Sequence, residues 1–339
     1  MNISVIFTGG TIGSKYSKEG CIGPDTATHY RLIEQYKNAT NPPVQEAICF
    51  STYEPYEILS ENLSAHNLLS LIHQIEQVLM TNPDGIIITH GTDTLAYTSS
   101  ILSYVYANVS IPIVLVSSNY VLEDSRANGL INFTTAVEFI ALGKYNGVYV
   151  SYKNQKLPPS IFHGNRIQQS LPYTDTVYAT KDSYVGSFEN HTFFPNLSMP
   201  QINLTEKPFI NANKIQISSD TNKILRITTC PGMVYPTISD NVTVILHDSY
   251  HSGTIPITDG LKAFSSQARE RKIPIYLVGL SALEHEYATV SQYKNLGVEP
   301  LPDCSMISQY CKLWLATSNN IDIKQVMHRC YAGEWLVSL

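Results

Sequence analysis

Short apolar runs rich in β-branched residues alternate along the chain with longer segments of helical periodicity. Ile3–Phe7, Gly85–Thr89, Pro112–Val116 and Gly147–Ser151 read as strands, and Ala65–Met80, Leu95–Ala107 and Gly129–Leu142 read as the helices between them. That rhythm predicts right-handed βαβ units and a parallel sheet with both faces covered. From about Phe193 to Asp220 the pattern dissolves into Pro, Asn, Ser and Lys, and residues 196–219 read as a linker. Beyond it, Lys223–Thr229, Val242–His247 and Ile273–Val278 again read as strands, with helices near Leu261–Arg271 and Ser305–Thr317. The expected fold class is α/β: a parallel-sheet domain over 1–195 and a smaller α/β domain over 220–339. With 339 residues, two cores are expected rather than one.

Composition narrows the classes of function. Apolar residues make up 43% of the chain and charged residues 15%, enough for buried sheets, yet no apolar run approaches the roughly 18 residues of a membrane span. The opening Met1–Phe7 has a strand pattern and no basic segment ahead of an apolar one, so it does not read as a signal peptide and a cytoplasmic address is expected. The net charge of −6, with no basic cluster, argues against a nucleic-acid partner. Six scattered cysteines without a C-x-x-C pair read as reduced thiols rather than as a disulfide frame or zinc site. The histidines lack ligand spacing and neither phosphate-loop signature occurs, so no metal or cofactor is expected.

In a parallel sheet, chemistry is sought where strands end and loops begin. The first strand runs into Thr8-Gly9-Gly10-Thr11-Ile12-Gly13, where paired glycines permit a sharp turn and close backbone approach. The strand Ile86–Thr89 runs into His90-Gly91-Thr92-Asp93-Thr94 just ahead of a helix, a place that offers free N–H groups. Taken singly, the first is an ordinary strand–loop turn and the second an N-cap.

Together, G-G-T-I and H-G-T-D-T resemble the two signatures of the asparaginase–glutaminase family, and the resemblance extends along nearly the whole chain. Arg126-Ala127-Asn128-Gly129-Leu130-Ile131-Asn132, Gly164-Asn165-Arg166, Pro231-Gly232-Met233 and Gly333-Glu334 are similar to further family segments. The pattern is closest to the cytoplasmic, type I branch. The resemblance implies an amidohydrolase in which Thr11 attacks a side-chain carboxamide to form an acyl-enzyme that water hydrolyses. It also implies that Thr92 and Asp93 form part of a Thr-Asp-Lys set, and that Ser60 holds the substrate carboxylate, with Glu61, Gly91 and Ser118 lining the substrate. Relatives of this kind form homodimers or homotetramers.

The pattern departs at two positions. The tyrosine of the family's lid falls on Cys21, with Tyr16 nearby, and the lysine expected after Gly164-Asn165-Arg166 falls on Gln169. A glutamine carries no charge and moves no proton, and losing a proton-transfer partner costs about 10²–10⁴ in rate. Lys153, Lys156 or Lys181 are the lysines available to replace it. The expected function is therefore hydrolysis of a carboxamide in a small molecule or peptide, with free asparagine not necessarily the substrate. The alternatives are a non-turning-over binder that keeps the cleft, and acyl transfer through Cys21.

Overall fold

The structure, a computed structural model, describes residues 1–17, 20–39, 44, 47–199, 208–281 and 287–336. Residues 200–207 of the expected linker lie outside them. In chain order the first part comprises β1 (Asn2–Phe7), β2 (Ser14–Tyr16), β3 (Ile22–Pro24), α1 (Thr26–Lys37), β4 (Cys49–Tyr53), α2 (Ala65–Leu79), β5 (Gly85–Thr89), α3 (Leu95–Val105), β6 (Pro112–Val116), α4 (Gly129–Ala141), β7 (Gly147–Tyr152), β8 (Ser160–His163), β9 (Tyr184–Glu189) and β10 (Thr192–Pro195). The second comprises β11 (Ile224–Ile227), β12 (Val244–His247), α5 (Asp259–Glu270), β13 (Ile275–Leu277), α6 (Ala288–Asn295), β14 (Val298–Pro300), α7 (Met306–Ser318) and α8 (Ile323–Met327).

The large sheet has the order β10-β9-β8-β7-β6-β5-β1-β4. The strands β4, β1, β5, β6 and β7 run parallel, whereas β8, β9 and β10 are added antiparallel. Every residue of β5 and β6 is buried, because helices cover both faces of the sheet centre. Strand alternation sorts these residues. Val5, Phe7, Ile87, Val114 and Val116 pack on one face with Phe133 and Val137 of α4. Ile6, Ile86, Ile88, Ile113 and Leu115 pack on the other with Leu68 and Ile72 of α2 and Leu102 of α3. Helix α2 starts from a capping box, with the Ser64 hydroxyl accepting from the Asn67 N–H and the Asn67 side chain accepting from the Ser64 N–H.

The second sheet, β11-β12-β13-β14, is wholly parallel. Helix α7 belongs to both bodies. Its Ile307, Cys311 and Leu315 enter the first core, and its Leu313 enters the cluster beneath the second sheet. The Tyr104 hydroxyl of α3 meets the Ser308 hydroxyl of α7 at 2.7 Å.

Candidate active site

Three loops at the carboxyl ends of β1, β4 and β5 converge on one point. At the end of β1, the Thr8 hydroxyl donates to the Thr89 carbonyl at 2.6 Å, and the Gly10 N–H donates to the Ile58 carbonyl at 2.9 Å. Gly9 and Gly10 have φ of 96° and 77°, a region that side chains disfavour. The turn also leaves no space. A Cβ on Gly10 would lie 2.3 Å from the Gly91 nitrogen, and one on Gly91 would lie 2.4 Å from the Ser60 hydroxyl. The sequence thus uses glycine where two backbones and a buried serine touch. Thr11 follows at once, in a single 3-10 turn held by the Gly13 N–H and the Ser14 hydroxyl, both donating to the Gly10 carbonyl.

Across this contact lie Thr92 and Asp93, ahead of α3. The Thr94 hydroxyl donates to the Ser60 carbonyl at 2.9 Å, fastening this loop to the one that carries Ser60 and Glu61. Ser60 is buried and Glu61 exposed. No acceptor among the described residues takes the main-chain N–H of Thr11 or of Thr92. Ser118, past the end of β6, is buried with its hydroxyl donating to the Tyr120 carbonyl at 2.5 Å.

Gln169 stands beside Asp93, its Nε2 donating to the Asp93 main-chain carbonyl at 2.9 Å. Its Oε1 is buried without a hydrogen-bond partner among the described residues. No cation among them forms an ion pair with Asp93, whose side chain is exposed. Lys181 does not fill the role, because its ammonium is bound to Asp303 and to the Ser281 hydroxyl. Lys153 and Lys156 bond to no carboxylate in the described residues.

The hairpin β2–β3 leaves the Thr11 turn directly. Tyr16 is 46% exposed on it, and Cys21 is an exposed free thiol at its far end. The Ser17 N–H donates to the Cys21 carbonyl at 2.7 Å, and the Cys21 N–H donates to the Ser17 hydroxyl at 3.2 Å. The bonds that hold Cys21 are thus to main-chain groups and the Ser17 hydroxyl. One group escaped sequence reasoning. His90, 2% exposed, contacts the Gly91 carbonyl through Nδ1 and the Thr98 hydroxyl through Nε2, both at 2.8 Å. Burial pushes its pKa down to about 4, so the ring is neutral near pH 7. The only signal in the sequence was its place, at the end of a buried strand ahead of a glycine. No group of three metal-ligating side chains occurs among the described residues.

The asparaginase N-terminal family matches residues 2–196, and the chain belongs to the asparaginase family. It is 28% identical over 283 residues to an L-asparaginase of Thermococcus kodakarensis, covering 74% of this chain and 76% of that protein. It is 26% identical over 357 residues to a glutamyl-tRNA(Gln) amidotransferase subunit of Methanobrevibacter smithii, covering 98% of this chain and 77% of that one. In fold it is similar to the solved thermostable L-asparaginase from Thermococcus kodakarensis, with a TM-score of 0.79, 24% identity and full coverage of both chains. Family and fold together make it an asparaginase-family amidohydrolase. No described helix is long and apolar enough to cross a membrane.

Proposed function

We propose that the chain hydrolyses a carboxamide through Thr11, and that free asparagine is a slow substrate. The Thr11 hydroxyl oxygen bonds to the carboxamide carbon and passes its proton toward the departing nitrogen. The C–N bond breaks to release ammonia, and water then cleaves the ester, regenerating the hydroxyl and leaving a carboxylate. The observation that carries this reading is the contact of Gly10 with Gly91, which sets the Thr11 and Thr92 loops side by side with both following N–H groups unclaimed. Two such donors on neighbouring half-buried residues form a ready site for the oxygen that becomes negative during attack. Ser60 and Asp93 are the groups suited to the substrate's polar end, with Glu61, Gly91 and Ser118 around them, and Tyr16 is the hairpin tyrosine nearest to the nucleophile in sequence.

Gln169 supports the slow-asparagine part of the proposal, because a neutral amide at Asp93 supplies neither charge nor proton. The test is ammonia release from asparagine, glutamine and capped peptide amides. Turnover of a peptide or substituted amide above that of asparagine, abolished by Thr11→Ala, is the expected result. Asparagine turnover on the order of 10 s⁻¹ or more refutes the impaired-site reading, and a Thr11→Ala protein as fast as the parent removes the nucleophile. A second reading draws on the alignment with an amidotransferase component over 98% of this chain: glutamine is the amide and ammonia is handed on. Turnover confined to glutamine favours it. The working form proposed is a cytoplasmic homodimer or homotetramer, consistent with six free cysteines and checked by light scattering.

A further inference from the structure

We propose that His90, locked in one tautomer by Thr98, is a positioning residue that aims the Thr92 N–H into the cleft. The inference rests on the threonine amidohydrolase reading and adds to it two residues outside the reacting set.

The Gly91 carbonyl accepts hydrogen bonds and cannot donate, so the His90 Nδ1 that meets it at 2.8 Å carries the proton. A neutral imidazole has one N–H, so Nε2 is left as an acceptor, and the Thr98 hydroxyl at 2.8 Å is its donor. Thr98 is fully buried on the first turns of α3, with its own N–H bound to the Thr94 carbonyl. The His90 N–H donates to the Val116 carbonyl, which fixes the ring's starting point on β6. The chain Thr98 → His90 → Gly91 therefore has one direction.

Its effect falls on the Gly91–Thr92 peptide. That peptide is trans, as are all those described, and a trans peptide is close to planar. Its C=O and N–H thus point opposite ways. With the carbonyl held inward by a buried ring, the Thr92 N–H faces outward, on the side where it meets no acceptor. In the other tautomer the Nδ1 lone pair would face the Gly91 oxygen. Two acceptors repel, and the peptide would turn away from the pose that presents Thr92.

Four variants and one spectrum test this. In the parent protein, the ring-nitrogen NMR shifts of His90 should show a protonated Nδ1 and an unprotonated Nε2. Removing a transition-state N–H donor costs about 10²–10³ in kcat, and misaiming one should cost part of that. We expect Thr98→Val to lower kcat about tenfold with KM nearly unchanged and to shift the nitrogen signals toward the other tautomer. Thr98→Ser should restore both. His90→Asn, whose amide nitrogen can stand where Nδ1 stands, should retain more activity than His90→Leu. A parent with Nε2 protonated overturns the inference, as does a Thr98→Val protein with parental kcat or a loss confined to KM. If the parent hydrolyses no amide, the proposed function fails separately. The positioning role is then read from the nitrogen shifts together with affinity for L-aspartate, whose side-chain carboxylate can present an oxygen to the same donors. Weaker binding in Thr98→Val supports the role, and equal binding sinks it.

Discussion

At the scale of single residues, glycine and glutamine carry the clearest tests. Gly10 combines a φ of 77° with a backbone neighbour 2.3 Å from any added Cβ. Gly10→Ala must therefore separate the Thr11 and Thr92 loops. It should cost about 2 kcal/mol or more, the range of a strained backbone with an overpacked contact, and abolish amide hydrolysis. Gly20 is the control, since its φ is 82° but nothing lies within 4 Å of a Cβ there. Gly20→Ala should cost only about 1 kcal/mol from its left-handed backbone and leave turnover intact. Urea denaturation with ammonia release measures both, and equal losses at the two sites would contradict the contact argument. The Gln169→Lys change tests the missing charge: placed beside Asp93, a lysine should raise the rate on asparagine. A fall in that rate would show that the amide bond to the Asp93 carbonyl matters more than the charge.

At the scale of elements, a buried carboxylate pins the far edge of the large sheet. Glu138 of α4 meets His191, in the turn between β9 and β10, at 2.7 Å. Burial pushes the Glu138 carboxyl above its ordinary range, and the His191 contact only partly offsets this. A raised carboxyl favours the protonated, low-pH fold, so its contribution is lost as pH rises from about 4.5 through the folded value. Glu138→Gln should thus gain stability relative to the parent as pH rises across that window, measured by urea midpoints. A difference independent of pH would exclude the carboxyl as the source. The two edges of the large sheet show where the sequence was hard to read. The bounds of β5 and β6 are as the apolar runs indicate, because both faces of those strands are buried. β4 and β10 carry mostly exposed or half-exposed residues and give no apolar run. Their strand state depends on partners distant in the chain. The glycine-threonine loops were legible for a related reason: strand ends and glycine turns are local features. The His90–Thr98 contact spans a strand, a loop and a helix, and only folding reveals it.

At the scale of the whole molecule, a buried ion pair ties the end of the described chain to the region that precedes Gln169. Lys312 of α7 donates to the Glu334 carboxylate at 2.7 Å, with both side chains fully buried. Glu334 also accepts from the N–H groups of Tyr331 and Ala332. From the first body, the Asn165 amide donates to the Ala332 carbonyl at 2.8 Å and Arg166 to the Gly333 carbonyl at 2.7 Å. These are the residues of the Gly164-Asn165-Arg166 segment, so the tail braces the loop that delivers Gln169 to Asp93. Burial alone would raise the Glu334 carboxyl, but the Lys312 ammonium and the N–H donors hold it below its ordinary value. The stability this confers is present above the unfolded carboxylate range and is lost as pH falls through the folded value. Removing one partner of such a pair strands the other, which typically costs about 3–5 kcal/mol. Lys312→Met should therefore destabilise by that order. Adding Glu334→Gln should recover part of the loss, because a neutral amide oxygen still accepts from the two N–H groups. The unfolding transition should stay single in every variant, since α7 feeds side chains into both cores and neither core is complete without it. Thermal unfolding at neutral pH measures all three proteins. A double variant no more stable than Lys312→Met would show that Glu334 charge is not the cost, and two separate transitions would show that α7 does not couple the bodies.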